Sequence, residues 1–184
     1  GRGNERETLQ IGRSTSVGDR IYALNPKRDY IHVLSRRIVE TLLMQVEDLR
    51  SHDVFDIPAF ETTSVRIQTP QEDNRYTTTT LIREGKSWNF ETPIRTRASS
   101  ELVEEMLNRL TQTKAIHFLN VSPERLLDYG LGNTTLNVRL EGNNRSEQLL
   151  IGNKEDEDSA IPQVYARLNR FPNTVFTIAA RQTQ

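Results

Sequence analysis

Histidines, clustered carboxylates and a lone tryptophan are the side chains in this chain best suited to chemistry, and their spacing decides whether they can act together. His32, His52 and His117 stand singly. A zinc site of the HExxH kind needs two imidazoles one helical turn apart, and no such pair occurs, so the spacing predicts no metal ligand set. Glu155-Asp156-Glu157-Asp158 is the densest run of charge. Calcium favours clustered carboxylates, but the run lacks the glycine and the distal bidentate glutamate of an EF-hand loop. It reads as a solvated hairpin tip, with a bound cation as the open alternative. Glu84, Glu91, Glu124 and Asp128 could furnish the acid and base of glycoside hydrolysis, yet their spacing does not set any two of them across a cleft. Trp88, the single tryptophan, could stack on a sugar ring; entering a hairpin, it reads instead as core.

The remaining site signatures are absent from the sequence. There is no cysteine nucleophile, no G-x-S-x-G elbow, and no glycine-rich loop between strand and helix to cradle a phosphate. Gly130-Leu131-Gly132 is followed by a strand-like run and reads as a helix stop. Triplets beginning at Asn120, Asn133 and Asn144 fit the glycosylation pattern, which chance supplies freely. The residues therefore assign no catalytic group, no cofactor and no metal.

Composition narrows the class. With 184 residues the chain can bury about 70% of its unfolded surface and needs no staples. Lys and Arg number 24 against 25 Asp and Glu, for a net charge of −1, scattered without a basic stripe; nucleic acid is not an expected partner. The absence of cysteine agrees with an envelope protein without requiring one. No apolar run is long enough to span a bilayer and no signal peptide precedes the first strand. The chain reads as an excised piece, and membrane attachment is expected only through a segment outside it.

Stepping along the chain, residues 8–11, 20–24 and 30–34 are β-prone runs separated by glycine, aspartate and Asn25-Pro26, which predicts a three-stranded meander. From Ser35, apolar residues at Ile38, Leu42, Val46 and Leu49, flanked by Val39 and Leu43, predict a helix with one buried face, ending near Arg50. Residues 76–83 and 87–90 around Glu84-Gly85-Lys86 predict a hairpin. Ser99 or Ser100 can cap a helix whose apolar stripe is Leu102, Met106 and Leu110 with Val103 and Leu107. Residues 115–119 predict a strand. Ser122 as N-cap, Pro123 at the first position and Gly130 past the end predict one short helix. Alternation at Leu136, Val138 and Leu140 and a turn at Gly142-Asn143-Asn144 return the chain to strands.

The opening phrase then recurs. Leu9-Gln10-Ile11-Gly12 answers Leu149-Leu150-Ile151-Gly152, residues 21–24 answer 164–168, and residues 30–34 answer 174–178. Each glycine is expected to make the turn after the first strand of a meander, and a meander with one apolar face needs a helix to cover it. The second copy ends where its helix should begin, so it either borrows residues 100–110 or lies partly uncovered. The expected fold is α+β: antiparallel meanders and hairpins covered by amphipathic helices, in tandem related units of which the second is incomplete. Residues 1–62 are expected to form the first meander-plus-helix unit and residues 63–184 a second α+β unit that ends in a repeat of the first meander, the two packing separately or as one globule.

The order Trp88-Asn89-Phe90-x-x-Pro93, a capped helix, Leu126-Leu127-Asp128-Tyr129-Gly130-Leu131, an alternating strand, Leu-x-Ile-Gly and Val164-Tyr165-Ala166-Arg167-Leu168 resembles the bacterial family catalogued as the domain of unknown function DUF4340. The resemblance covers residues 9–178, about one and a half family units. Family members usually follow Tyr-Gly-Leu with aspartate or a similar residue and then proline, where this chain has Gly132-Asn133-Thr134. The family has no established activity and no catalytic residues to carry over. Its members are often anchored by an N-terminal membrane helix, face outside the cytoplasm, and are encoded near auxiliary proteins of gliding-motility-type ABC transporters. The resemblance thus implies a noncatalytic, extracytoplasmic interaction or scaffold domain with a protein partner such as a transporter component. A polysaccharide- or peptide-binding module is the alternative, and an unrecognised enzyme the third reading.

Overall fold

Alternating apolar and polar residues near both ends of the chain give strands with one face to bury, and antiparallel pairing turns them into meanders. The computed structural model describes residues 7–28, 30–71, 73, 75–132, 135–155 and 161–180, which fall into two compact units, Gly1–Ser51 and His52–Gln184. The division precedes the sequence boundary at residue 62 because Val54 and Phe55, 1% and 5% exposed, belong to the core of the second unit.

In the first unit β1 (Gln10–Ser14), β2 (Arg20–Leu24) and β3 (Ile31–Ser35) form an antiparallel sheet in that order. Paired residues share a face, so Ile21 and Leu34, with Ile11, Ala23 and His32, lie on one side, and Tyr22, Val33, Leu24 and Ile31 on the other. Helix α1 (Arg36–Leu42) covers the first side, where Ile21, Ala23 and Val39 are buried. The predicted helix to Arg50 is not formed. It stops after 7 residues, gives way to a 3₁₀ turn at Val46–Leu49, and leaves Ile38, Leu42 and Leu49 exposed. Its ends explain this. Ser35 makes no capping hydrogen bond, Arg36 and Arg37 occupy the positive end where carboxylates belong, and no cation stands in the last turn.

Among the described residues the second unit is one sheet of nine strands, all antiparallel. Strands β4 (Ser64–Pro70), β5 (Tyr76–Glu84), β6 (Ser87–Thr92) and β7 (Thr96–Arg97) run from its centre to one edge. Strands β9 (Leu136–Gly142), β10 (Arg145–Lys154), β11 (Gln163–Leu168) and β12 (Thr174–Ala179) run outward on the other side of β4, and β8 (Phe118–Asn120) closes the far edge. Both edge strands are short, which limits the unpaired backbone offered to another chain. Gly85, with φ 64°, turns the β5–β6 hairpin as predicted. Asn143 and Asn144, with φ of 50° and 58°, turn β9 into β10 through the left-handed geometry that tight hairpins require.

Helix α2 (Ser100–Thr111) succeeds where α1 fails. The Ser99 hydroxyl accepts from the Leu102 amide at 3.4 Å, Glu101 stands in the first turn, and Arg109 in the last ion-pairs with Glu105. Val103 and Leu107 are buried and Met106 and Leu110 pack beside them, whereas Leu102, expected in the stripe, is 65% exposed. One core cluster joins Val103 and Leu107 to Val65, Leu81, Trp88, Leu140, Leu149, Ala166, Phe176 and Ile178. The final meander therefore shares the core of α2. A second cluster, on the opposite face of the sheet, joins Val121, Leu131 and Val175 to Leu119, Leu126, Tyr129, Leu150 and Tyr165. Its cover is the segment Pro123–Tyr129, a 3₁₀ helix rather than an α-helix, ended by Gly130 at φ 69°.

The two meanders have one register. Ile11 faces Ala23 as Ile151 faces Ala166, Ser14 faces Ile21 as Lys154 faces Val164, and Tyr22 faces Val33 as Tyr165 faces Thr177. In both, the pairing slips between the same two places, Ile11/Ser14 and Ile151/Lys154. Gly12 and Gly152 lie at these bulges inside their strands, so the expectation that each makes the hairpin turn is corrected.

Candidate functional site

Most of the described residues singled out for chemistry are held by local contacts. His52 holds its Nδ1 2.6 Å from the Ala115 carbonyl, with the ring edge-on to Phe118, so that hydrogen bond requires the Nδ1–H tautomer. His117 donates its amide to the Thr177 hydroxyl at 3.3 Å and accepts from the Thr177 amide at 3.0 Å, and His32 belongs to the first unit, against the ring of Tyr30. Among the described residues no three His, Cys, Asp or Glu side chains are grouped to hold a metal. Glu84 pairs with Arg95 and Asn89, and Asp128 with Arg125. Glu91 is exposed on β6. Glu155 continues the β10–β11 pairing through its amide to Gln163, while Asp156, Glu157 and Asp158 lie outside the described residues, as does Asn133. Trp88 is 0% exposed, with the Arg83 guanidinium 4.9 Å above its ring, and is core as the sequence suggested.

Titration is perturbed only locally where it is resolved. The Asp73 carboxyl is held below its ordinary range by the hydrogen bond from Arg75, and Glu124 by its own backbone amide and the Ser122 hydroxyl. The Arg28 guanidinium is raised by its bond to the Tyr30 hydroxyl, and the Tyr165 phenol by desolvation. These groups stand on separate segments of the chain.

Sequence reasoning missed three arrangements. The first is a clamp: Glu147 on β10, its side chain 7% exposed, accepts from the amides of Asp56 and Ile57 at 2.8 and 3.3 Å and from Arg170 at 2.5 Å, and Arg170 also pairs with Asp56. Beside it a cavity of about 250 Å³ is lined by Arg139, Ser146, Gln148 and Asn169. The second is a polar row on the sheet face away from α2. Arg66 stands directly across from Arg139, which donates to Gln148 at 3.1 Å, and the next row pairs Gln68 with Asn137 at 3.0 Å. Like charges directly opposed on a sheet cost stability.

The third is the outer face of the first meander. Tyr22, Ile31 and Val33 are 43%, 65% and 49% exposed, with Leu24 beside them and Gly12 and Gln10 lining the same hollow. Aliphatic and aromatic side chains gathered in one exposed patch, with Arg20 at its edge across from Ser35, suit the burial of another apolar surface. Alternation in residues 20–24 and 30–34 announced these strands. Which of the two apolar faces α1 would cover was not written in it.

Comparison with known proteins supplies the family. The family model described as Domain of unknown function (DUF4340) matches residues 2–119 and, separately, residues 88–184. The chain belongs to the DUF4340 family. The two matches overlap across residues 88–119, the segment from Trp88 through α2 to the start of β8. No curated protein and no solved structure shows a significant match to this DUF4340 chain. Among the described residues no helix is long and apolar enough to cross a membrane.

Proposed function

We propose that this chain is a noncatalytic, extracytoplasmic interaction module built from tandem related units, the second incomplete, that serves as an accessory to an envelope transporter complex. The observation that carries the interaction reading is the open apolar face of Tyr22, Leu24, Ile31 and Val33, which pairs side by side in a regular sheet and buries nothing polar. The tandem reading is supported by the shared register of the two meanders and by the overlapping family matches. Location outside the cytoplasm and the transporter context come from the family resemblance. The test is a photo-crosslinking residue placed at Val33 in the full-length protein in intact cells. Capture of a discrete protein, with transporter subunits among the products, is the expected result. Products no richer than those from a control at Arg97, an exposed residue of β7 in the second unit, would overturn the reading.

The row of Arg66 and Arg139 with Gln68, Asn137 and Gln148 favours a second reading, an anionic polysaccharide held along the sheet. Opposed guanidinium groups flanked by amides, with Arg139 already 4.0 Å from the Glu141 carboxylate, are arranged to meet carboxylates and hydroxyls. Binding of a uronate polymer that is lost in Arg66→Ala and Arg139→Ala would establish it.

A further inference from the structure

The C-terminal meander shows what such a face looks like when it is occupied. Its register places Tyr165 where Tyr22 stands, Val175 where Ile31 stands, Thr177 where Val33 stands, Leu150 for Gln10 and Arg167 for Leu24. There the face is covered. Val175 and Thr177 are 0% exposed, and Tyr165 packs on Tyr129. Over Val175 and Tyr165 the cover is Pro123–Tyr129 followed by Gly130 and Leu131, while the Thr177 hydroxyl accepts from the His117 amide. In a 3₁₀ helix side chains three apart eclipse, so Leu126 and Tyr129 descend together onto the sheet, and left-handed Gly130 turns the chain so that Leu131, 3% exposed, joins them.

The bulge glycine belongs to the same contact. A Cβ at Gly152 would overlap the carbonyl oxygen of Tyr129, so the end of the 3₁₀ helix rests on that glycine. Gly12 occupies the same bulge in the first meander, where a Cβ would meet Tyr22 of its own sheet, the carbonyl oxygen at 3.3 Å and the Cβ at 3.5 Å. The first meander therefore repeats the tyrosine, the branched aliphatic and the glycine that the second uses to seat its cover. It also has Leu24 and Val33 where the covered face has Arg167 and Thr177, a more apolar surface.

We propose that the outer face of the N-terminal meander docks the 3₁₀-helix and Tyr-Gly-Leu element of another unit of this family, seated on Tyr22, Ile31, Val33 and Gly12 as Pro123–Leu131 is seated on its own sheet. The proposal rests on the tandem-unit and interaction reading above and names its partner. The probe is a synthetic peptide with the sequence of residues 121–132, added in excess to the full chain and followed by amide and methyl NMR shifts. Shifts at Tyr22, Ile31 and Val33, weakened at least tenfold by Val33→Arg in the protein or by a peptide carrying Tyr129→Ala, are the expected result. Absence of shifts on that face, shifts confined to Tyr165 and Val175, or unchanged binding to the Val33→Arg protein would overturn it. If the peptide fails while the Val33 crosslink still captures protein in cells, the occupant is wrong and the interaction module stands; if both fail, both fall.

Discussion

The ring of Tyr165 meets the ring of Tyr129 edge-on, with centroids 4.8 Å apart and planes at 83°. This contact fastens the end of the Pro123–Tyr129 helix to β11, and the register counterpart of Tyr165, Tyr22, has no such cover. Edge-to-face aromatic pairs couple by about 1 kcal/mol beyond the area they bury. A double-mutant cycle on Tyr129→Ala and Tyr165→Ala, measured by urea unfolding, should return that coupling. Tyr22→Ala should cost about 0.5 kcal/mol or less, as an exposed side chain does. Equal costs at Tyr22 and Tyr165 would show that the two faces are not differently occupied in solution.

Burial also fixes the sign of a pH effect. Desolvation, then the Glu155 carboxylate and Tyr129, raise the Tyr165 phenol above its ordinary 10.0. The folded chain therefore holds that proton more tightly than the unfolded chain does. The contribution to stability is complete below the unfolded value and is lost as pH rises through the higher folded one. An ultraviolet phenolate titration should show a late-titrating tyrosine that disappears in Tyr165→Phe, and the same substitution should flatten the alkaline loss of stability. An unchanged titration curve in Tyr165→Phe would refute the shift.

The bulge glycines separate by what lies over them. Gly152→Ala must push the Tyr129 carbonyl away, which by analogy with overpacked cores should cost about 1–3 kcal/mol and loosen Val175 and Leu131. Gly12→Ala meets one carbonyl at 3.3 Å and should cost about 1 kcal/mol or less. Thermal unfolding of the two variants checks the difference. Similar costs would mean that the bulge geometry itself, and not the overlying helix, demands glycine.

Much of this arrangement was legible in the residues. The meanders, the β5–β6 and β9–β10 hairpins, α2 and the Gly130 stop follow from local signals, which is where period and turn chemistry speak most directly. The likeness of the two meanders was visible too, in Leu-x-Ile-Gly and the tyrosine of the next strand. Apolar spacing in residues 38–49 predicts too long an α1 because it is silent about the ends, which carry arginines in the first turn and no working cap. The role of Gly12 and Gly152 was misplaced because a glycine after an apolar run marks a turn or a bulge equally well, and only the partner strand decides. The clamp on Glu147 was out of reach altogether: Asp56 and Arg170 lie far from it in sequence, and its ligands on one side are backbone amides, which no residue letter announces.

That clamp yields the last prediction, because its two halves can be separated. Glu147 accepts from the Asp56 and Ile57 amides through one oxygen and from Arg170 through the other. Glu147→Ala orphans both amides and strips Arg170 of its most buried partner, leaving it Asp56 and the Val54 carbonyl. Removing one member of a buried pair costs about 3–5 kcal/mol, and Arg170, with 33% of its side chain exposed, places the loss at the lower end. Glu147→Gln retains an acceptor for the amides and gives up the charge, so it should cost about 1–2 kcal/mol. Arg170→Ala leaves the amides bonded. Hydrogen exchange at Asp56 and Ile57 should therefore accelerate strongly in Glu147→Ala and little in Arg170→Ala, even where the two variants lose similar stability. Equal acceleration in both would show that the ion pair, and not the carboxylate-to-amide bonds, holds residues 54–57 onto β10.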